Sequence, residues 1–266
     1  MKNGSNEEAL LRIQEALRAA VSAVSRFVPG NVRADYKPGQ DPVTEADRVA
    51  NEVLRKVLLR EGEGWLSEES VDDKQRLGKD RVWVVDPLDG TREFVAGIPE
   101  WCVSVGLVEQ GRAVAGGICN PATDELILGS RETGVTLNGK PVQASQREGL
   151  AGALVLASRS EVKRGEWDRF RGAPFTIRPM GSVAYKLARV AAGLADATWT
   201  LVPKHEWDVA AGVALVEAAG GFVRDPKSAS VRFNSASALL SGLVAGGPWL
   251  REAITTILDF GFPILD

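Results

Sequence analysis

The stretch Val82-Trp83-Val84-Val85-Asp86-Pro87-Leu88-Asp89-Gly90-Thr91 decides how this chain folds and what chemistry it can carry. Its four leading apolar residues predict a short buried strand that delivers Asp86 to its carboxyl end. Pro87 fixes its own φ, so the turn can project Asp89 beside Asp86 while the Leu88 carbonyl points the same way. Three hard oxygen donors that face one point are the ligands that Mg²⁺ or Ca²⁺ prefers. The sequence therefore predicts a cation site at the end of this strand.

The last two residues of the stretch, Gly90-Thr91, are placed to open a helix. The N–H groups at a helix start favour an anion such as phosphate. The same residues also fit a plain turn closed by an Asx-type hydrogen bond, and this alternative stays open at the level of the sequence.

The pattern of the first half of the chain predicts an α+β arrangement. Apolar residues at helical spacing are followed by a β-meander, in which Asn138-Gly139 is a strong hairpin signal. The predicted helices span 7–28, ended by Pro29-Gly30, and about 45–60; the predicted strands span 102–108, 113–118 and 125–128.

After about residue 150 the pattern changes to alternating strands and helices, which is typical of an α/β half. The predicted strands are 153–157, 175–178, 195–201 and 239–245, and the predicted helices are 161–170, 183–192, 207–219 and 248–258. The fold class is therefore α/β, with an N-terminal half over 1–148 and a C-terminal half over 149–266 that pack as one compact unit.

Composition excludes several classes of protein. With 32 Lys+Arg against 35 Asp+Glu in 266 residues, the net charge of −3 does not suit a non-specific nucleic-acid binder. No apolar run approaches the length of a membrane span, and the start lacks the apolar stretch of a signal peptide, so we expect a soluble cytoplasmic protein. Two cysteines outside any Cys-x-x-Cys motif and a single histidine, His205, exclude a disulfide scaffold and a thiolate or multi-histidine metal site.

Three further acidic segments stand where loops meet predicted helices or strands. Each has an ordinary explanation: a capping box at Thr44-x-x-Asp47, a solvated acidic pair at Glu68-Glu69, and a helix N-terminal carboxylate at Asp208. Brought together with Asp86 and Asp89, however, these carboxylates would repel one another unless a cation neutralised them. Two or three divalent ions held in this way would form a phosphoryl-transfer site.

At these residues the sequence resembles the inositol monophosphatase superfamily of Mg²⁺-dependent, lithium-sensitive phosphatases. The resemblance covers essentially the whole chain, and the motifs fall in family order. They are Asp41-Pro42-Val43-Thr44-Glu45-Ala46-Asp47, Glu68-Glu69, Asp86 through Thr91, and Trp207-Asp208-Val209-Ala210-Ala211-Gly212. The resemblance implies a layered α-β-α-β-α sandwich and a phosphoric monoester hydrolase.

The resemblance also assigns roles to individual residues. It implies that the metal ligands are Glu68, Asp86, the Leu88 carbonyl, Asp89 and Asp208, most of them in the first half. Asp47 with Thr44 would support a third, weaker metal and its water, Thr91 and Glu68 would orient the attacking water, and the N–H groups of Gly90 and Thr91 would hold the phosphate. Two or three Mg²⁺ ions are implied, with Mn²⁺ as a substitute and Ca²⁺ or Li⁺ as inhibitors.

Two branches of the superfamily compete for the substrate. Inositol monophosphatases usually have Gly-Thr-Thr-Asn-Phe where this chain has Gly90-Thr91-Arg92-Glu93-Phe94, and they carry a polyol-binding Glu at the position of Leu201. The CysQ-type 3′(2′),5′-bisphosphate nucleotidases resemble the chain at Lys37, Ser158-Arg159-Ser160 and Gly181-Ser182. Lys186 and Arg159 could meet a second phosphate, together with substrate contacts from Ser182, Gly90, Thr91 and Asp208; a solvated surface position is the alternative for Lys186.

The main expectation is therefore hydrolysis of adenosine 3′,5′-bisphosphate to AMP. The alternatives are an inositol-1-monophosphatase, a fructose-1,6-bisphosphatase and a non-enzymatic regulatory partner. A haloacid-dehalogenase mechanism is excluded because Pro87 stands where that class needs its nucleophilic aspartate. We expect a small phosphorylated metabolite as the partner, no nucleic-acid polymer, no membrane, and a monomer or homodimer.

Overall fold

The computed structural model describes residues 3–36 and 42–260. In it, Val82 to Asp89 lie in the long second strand of a seven-stranded sheet, and Thr91 begins a helix. This strand pairs in parallel with the edge strand and antiparallel with the next one along the chain. The strands lie in the order β3 (Gly64–Ser67), β4 (Arg81–Asp89), β5 (Cys102–Glu109), β6 (Arg112–Asn120), β7 (Glu125–Ser130), β8 (Gly134–Leu137) and β9 (Lys140–Val142).

A second, five-stranded sheet is built from the later part of the chain, and two short strand pairs accompany the sheets. Its strands lie in the order β11 (Thr176–Met180), β10 (Leu154–Ser158), β12 (Ala197–Thr200), β16 (Leu243–Gly246) and β14 (Phe222–Arg224). The short pairs join β1 (Ala34–Tyr36) to β2 (Pro42–Thr44) and β13 (Lys204–His205) to β15 (Leu239–Leu240).

The helices separate and flank the two sheets. They are α1 (Asn3–Val24), α2 (Glu45–Leu58), α3 (Thr91–Val95), α4 (Arg159–Lys163), α5 (Val183–Ala191), α6 (Glu206–Ala218) and α7 (Arg251–Phe260), with short 3₁₀ helices at Asp168–Phe170 and Pro248–Leu250. Among the described residues, none of these helices has the length and apolar character that crossing a bilayer demands.

The helices form three layers, one between the two sheets and one on each outer side. They pack on the sheets through apolar side chains, because each sheet face needs an apolar partner. Helices α1 and α2 cover the outer face of the seven-stranded sheet through Ile13, Leu17, Leu54, Trp83 and Val103. Helices α5 and α6 lie between the sheets through Leu187, Val209, Val84, Leu156 and Ala245. Helix α7 covers the far face of the second sheet through Ile254, Ile257, Val155 and Trp199. The predicted α-β-α-β-α sandwich is confirmed.

Helix α6 packs so closely on the seven-stranded sheet that its backbone contacts the backbone of two strands. A Cβ at Gly116 would lie 2.5 Å from the carbonyl oxygen of Ala211, and one at Gly106 would lie 2.8 Å from the Ala211 nitrogen. Glycine is therefore needed at both strand positions so that the helix that carries Asp208 can lie against the sheet that carries Asp86.

Three predicted elements differ from the observed ones. The first helix ends at Val24, not at residue 28, because the chain turns at Phe27, whose N–H bonds the Val24 carbonyl. The helix predicted over 161–170 stops after one turn and a half, since Gly165 has a φ of +78°. Gly242, at a φ of +142°, divides the strand predicted over 239–245 into β15 and β16, which belong to different sheets.

A buried ion pair ties α1 to the first strands of the large sheet. The guanidinium of Arg12 donates to both carboxylate oxygens of Glu63, at 3.0 and 2.6 Å, and the indole N–H of Trp83 donates to the same carboxylate at 2.8 Å. Burial by itself raises the pKa of Glu63, but the bonds from Arg12 and Trp83 outweigh it and the pKa is lowered.

We expect Gly116→Ala to destabilise the fold by about 1–3 kcal/mol, because its Cβ meets backbone that cannot rotate away. Chemical denaturation measures the loss. Gly149→Ala is the matched control, since a Cβ there would meet nothing within 4 Å, and its change should stay within about 0.5 kcal/mol. Equal stabilities for the two variants would contradict the close packing of α6.

Glu63→Gln should lower the free energy of unfolding at neutral pH. It should also make this free energy fall less as the pH is lowered. Because the folded pKa of Glu63 is lowered, its contribution is present above the ordinary value of about 4.3 and is lost as the pH falls through the lower, folded pKa. Urea denaturation measured from pH 7 down to pH 3 tests this. Glu61→Gln, on the exposed neighbouring turn, is the control and should keep the wild-type pH profile.

Candidate active site

A pocket of about 390 Å³ opens where β4 ends and where α3, α5 and α6 begin. It gathers side chains and backbone from parts of the chain far apart in sequence. The residues predicted for the site that line it are Glu68, Asp86, Leu88, Asp89, Gly90, Thr91, Arg159, Ser182, Lys186 and Asp208. The structure thus brings the predicted ligands and the predicted substrate contacts to one place.

A bulge at the end of β4 positions the first two carboxylates. Asp86 pairs with Ser104 and Asp89 with Cys102, so β4 has one extra residue here and bulges. The Leu88 N–H donates to Asp86 Oδ1 at 3.0 Å, which is the Asx-type bond of the plain-turn alternative. Both interpretations of the stretch therefore hold at once: the Asx bond fixes the turn, and the turn places its acids in the pocket.

Gly90 is required at the point where the chain enters α3. Its φ is +98°, and a Cβ there would lie 2.7 Å from the Glu100 carbonyl oxygen. This sharp turn places the hydroxyl of Thr91 within hydrogen-bond distance of Asp47 Oδ1, at 2.9 Å, and of the Leu88 carbonyl, at 3.0 Å.

Thr44 and Asp47 lie behind Thr91 at the start of α2. The predicted capping box is confirmed: the Thr44 hydroxyl and N–H both donate to Asp47 Oδ2, at 2.6 and 2.7 Å, and the Thr44 oxygen accepts the N–H of Ala46. Asp47 therefore caps its helix with one oxygen and contacts Thr91 with the other. Lys37 and Asp41, which also belong to the predicted motifs, lie outside the described residues.

The starts of α5 and α6 hold the remaining two aspartates. Asp89 Oδ2 accepts the Ser182 hydroxyl at 2.7 Å and the Ala184 N–H at 2.6 Å. Asp208 Oδ2 accepts the His205 N–H at 3.0 Å in the first turn of α6. Ser182, predicted as a substrate contact, thus orients a candidate metal ligand.

Burial and neighbouring carboxylates raise the pKa of Asp86 and of Asp208. Burial is the largest cause for Asp86, whose pKa is well above its ordinary value, and the charges of Glu68, Asp89 and Asp208 raise it further. Burial also dominates for Asp208, with Asp89 and Glu68 adding to it. Such a group of acids is stable in its ionised form only next to a positive charge.

The donor set suits a hard divalent cation. Within the described ranges, no three His, Cys, Asp or Glu side chains stand close enough to hold an ion by themselves. Asp86, Asp89 and Asp208 each use one oxygen in the hydrogen bonds above, however, and a carboxylate has a second oxygen that can bind a metal. Asp86 is buried and Asp89 and Asp208 are half-buried. Carboxylates beside a backbone carbonyl are the oxygen ligands that Mg²⁺ prefers, so the residues fit the implied ion.

Lys186 and Arg159 occupy different positions in the pocket wall. Lys186 is buried, which excludes a solvated surface position; its amine donates to the Ser182 carbonyl at 3.0 Å and approaches that of Met180 at 3.4 Å. Burial lowers the pKa of Lys186, and the charge of Asp89 opposes this. Arg159 forms an ion pair with Glu100 at the rim.

Four further residues line the pocket: Lys204 and Glu93 were not predicted from the sequence, whereas His205 and Trp207 lie beside or within the Trp207-Asp208 motif. Lys204 lies 3.7 Å from buried Glu161, and the rings of His205 and Trp207 stack with centroids 4.3 Å apart. Glu93 packs against Gly181 from the short helix α3. The segment over 201–206 has no periodicity that would have indicated these roles, although Lys204 and His205 stand close to Asp208 in the chain.

Comparisons with known proteins agree with this geometry. The model of the inositol monophosphatase family matches residues 6–258. The chain is 34% identical over 242 residues to the inositol-1-monophosphatase of Rhizobium meliloti, covering 88% of each, and 36% identical over 233 residues to the Nus factor SuhB of Pseudomonas aeruginosa, covering 79% of this chain and 83% of that protein.

Solved structures agree as well. The extragenic suppressor protein suhB of Bartonella henselae superimposes with a TM-score of 0.80 at 30% identity, covering 96% of this chain and 100% of that one. The inositol monophosphatase of Anabaena superimposes with a TM-score of 0.79 at 26% identity, covering 98% of each. None of these four is named a bisphosphate nucleotidase, so they do not support the CysQ branch. The chain belongs to the inositol monophosphatase family and is a phosphoric monoester hydrolase.

Proposed function

We propose that this protein hydrolyses inositol 1-phosphate, or a close polyol monophosphate, with the help of divalent metal ions. The observation that carries the proposal is the convergence of Glu68, Asp86, Asp89 and Asp208 from three separate segments on one pocket. The name of the R. meliloti relative favours inositol 1-phosphate as the substrate. This replaces our main expectation of a nucleoside bisphosphate by the alternative.

The proposed metal ligands are Glu68, Asp86, the Leu88 carbonyl, Asp89 and Asp208, with Asp47 supporting a weaker third ion. When bound, the metals would lower the pKa of a water molecule and neutralise phosphate charge. Thr91, held between Asp47 and the Leu88 carbonyl, would orient the attacking water together with Glu68. The backbone N–H groups of Gly90 and Thr91 line the pocket and would bind phosphate oxygens.

Glu93 offers an explanation for polyol recognition without a glutamate at position 201. Leu201 itself is an exposed side chain. Glu93 lines the pocket, its carboxylate lies 3.9 Å from Arg159 Nε, and its side chain is 14% exposed. A carboxylate only accepts hydrogen bonds when it is ionised, so Glu93 is suited to the hydroxyl groups of a sugar or inositol ring.

A nucleoside bisphosphate remains the second candidate because of Lys186. An ammonium has three N–H bonds, and two of those of Lys186 point at carbonyls of the described chain, which leaves the third for a substrate oxygen. Lys204 adds a second cation to the same wall. The second phosphate of a nucleoside bisphosphate could form ion pairs with these two lysines, whereas the uncharged ring of a polyol could not.

Asp89→Asn should reduce metal-dependent turnover by about 10²-fold or more, because it removes a ligand charge while keeping the side-chain size. Phosphate release from inositol 1-phosphate with Mg²⁺ or Mn²⁺ is the measurement, and EDTA should abolish it in the wild type. Asp168→Asn, at an exposed position, is the control. Full turnover in Asp89→Asn or after chelation would show that the metal site is elsewhere, and inactivity of the wild type on every phosphate ester would favour a regulatory role.

The substrate is tested by comparing kcat/KM for inositol 1-phosphate, adenosine 3′,5′-bisphosphate and fructose 1,6-bisphosphate. We expect inositol 1-phosphate to rank first and Glu93→Gln to raise its KM about 10-fold, since a hydrogen bond to a charged group is worth about 1.5 kcal/mol or more. Activity on adenosine 3′,5′-bisphosphate should change little in that variant.

Lys186→Met tests the second candidate substrate, a nucleoside bisphosphate. Lys163→Met, at the exposed end of α4, is the control. A loss of 10- to 150-fold confined to adenosine 3′,5′-bisphosphate, about 1.5–3 kcal/mol, would support a bisphosphate nucleotidase and contradict the polyol proposal if that substrate also ranked first.

A further inference from the structure

A fully buried carboxylate lies at the start of α6, two residues before Asp208. Glu206 has no exposed surface, and its carboxylate accepts the N–H of Asn234 at 2.7 Å, the N–H of Ser235 at 2.9 Å and the hydroxyl of Ser235 at 2.7 Å. A buried polar group is costly unless it is hydrogen-bonded, so these three bonds tie the start of α6 to the loop at 234–235.

Arg76 holds the same loop from the other side. Its side chain has no exposed surface, and its guanidinium donates to the Asn234 side-chain oxygen at 2.7 Å and to the Ser235 carbonyl at 2.9 Å. The Asn234 side chain donates back to the Arg76 carbonyl at 3.2 Å, and Asp72 neutralises the guanidinium through a two-bond ion pair. Arginine suits this position because its planar fork can serve several acceptors at once.

The network joins two segments that carry candidate metal ligands. Arg76 packs on the edge strand β3, where a Cβ at Gly64 would lie 3.0 Å from that of Arg76, and β3 leads directly into Glu68. Glu206 lies two residues before Asp208 in the first turn of α6. The bond from the His205 N–H to Asp208 orients that carboxylate within this turn. The Arg76 network fixes the same turn relative to β3, the strand that leads into Glu68.

We propose that Arg76 and Glu206 are positioning residues for the metal site, acting through the loop at 234–235 to fix Asp208 relative to Glu68, which would both hold the implied ions. The inference rests on the proposed metal-dependent function. Carboxylates gathered in one pocket repel one another before an ion binds. A scaffold that holds them together in advance therefore raises metal affinity more than it raises the rate of the bound complex.

The test measures Mn²⁺ binding to the purified protein without substrate, by the electron paramagnetic resonance signal of free Mn²⁺. Arg76→Met should weaken binding about 10-fold or more and raise the half-saturating Mg²⁺ concentration for phosphate release by a similar factor. The kcat at saturating Mg²⁺ should change much less, because Arg76 contacts neither metal ligand directly.

Arg12→Met is the matched control, since Arg12 is also buried and also bonded to a carboxylate and a backbone carbonyl. It should lower the denaturation midpoint and leave Mn²⁺ affinity within about 2-fold of the wild type. A loss of Mn²⁺ affinity in Arg12→Met equal to that in Arg76→Met would show that the effect is general destabilisation and would overturn the proposal.

Two milder variants keep the proposal testable if Arg76→Met does not fold. Arg76→Lys and Glu206→Gln should each weaken Mn²⁺ binding several-fold, and their combination should cost less than the product of the two effects, because both act on one loop. Wild-type Mn²⁺ affinity in both would overturn the positioning role. No Mn²⁺ binding by the wild type itself would overturn the proposed metal-dependent function as well, which separates the two failures.

Discussion

The repulsion among a few carboxylates gathered in one pocket is the constraint on which the rest of this structure depends. Burial raises the pKa of Asp86, Asp89 and Asp208, and the charge of Asp89 raises that of Asp86 and Asp208 further. Each carboxylate is held by hydrogen bonds from a turn or a helix start. Left to themselves these acids would separate or take up protons. The layers on both sides of the large sheet supply the rigid elements that bring them together, so the fold and the site answer the same requirement.

Local signals in the sequence predicted the two halves and the cation site at the end of β4, whereas the layered sandwich and the full set of candidate ligands were implied by the family resemblance. A hydrophobic strand ending in Asp86-Pro87-Leu88-Asp89 and the capping box at Thr44 and Asp47 are formed by neighbours in the chain. The apolar pattern did not show where two of the elements end. Gly165 and Gly242, each at a positive φ, interrupt runs in which the apolar residues look continuous. The strands of two or three residues are too short to show a period.

The contacts that side chains make within the pocket wall away from the carboxylates could not be predicted for a different reason. Lys186 was assigned to substrate from its motif, but its burial and its bonds to Ser182 and Met180 depend on how α5 packs. Lys204 and Glu161 meet across 43 residues, and Arg76 meets Asn234 across 158. Contacts at such separations carry no local pattern, so they become apparent only in the folded chain.

The contact of α6 with Gly106 and Gly116 has a consequence for exchanging parts between related proteins. Backbone touches backbone there, so the helix and the two strands behave as one piece with no side chains between them to absorb a misfit. A chimera that took α6 from a relative while keeping β5 and β6 would change the height at which Asp208 stands above the sheet. The unit of exchange in this fold is therefore the strand pair together with its helix.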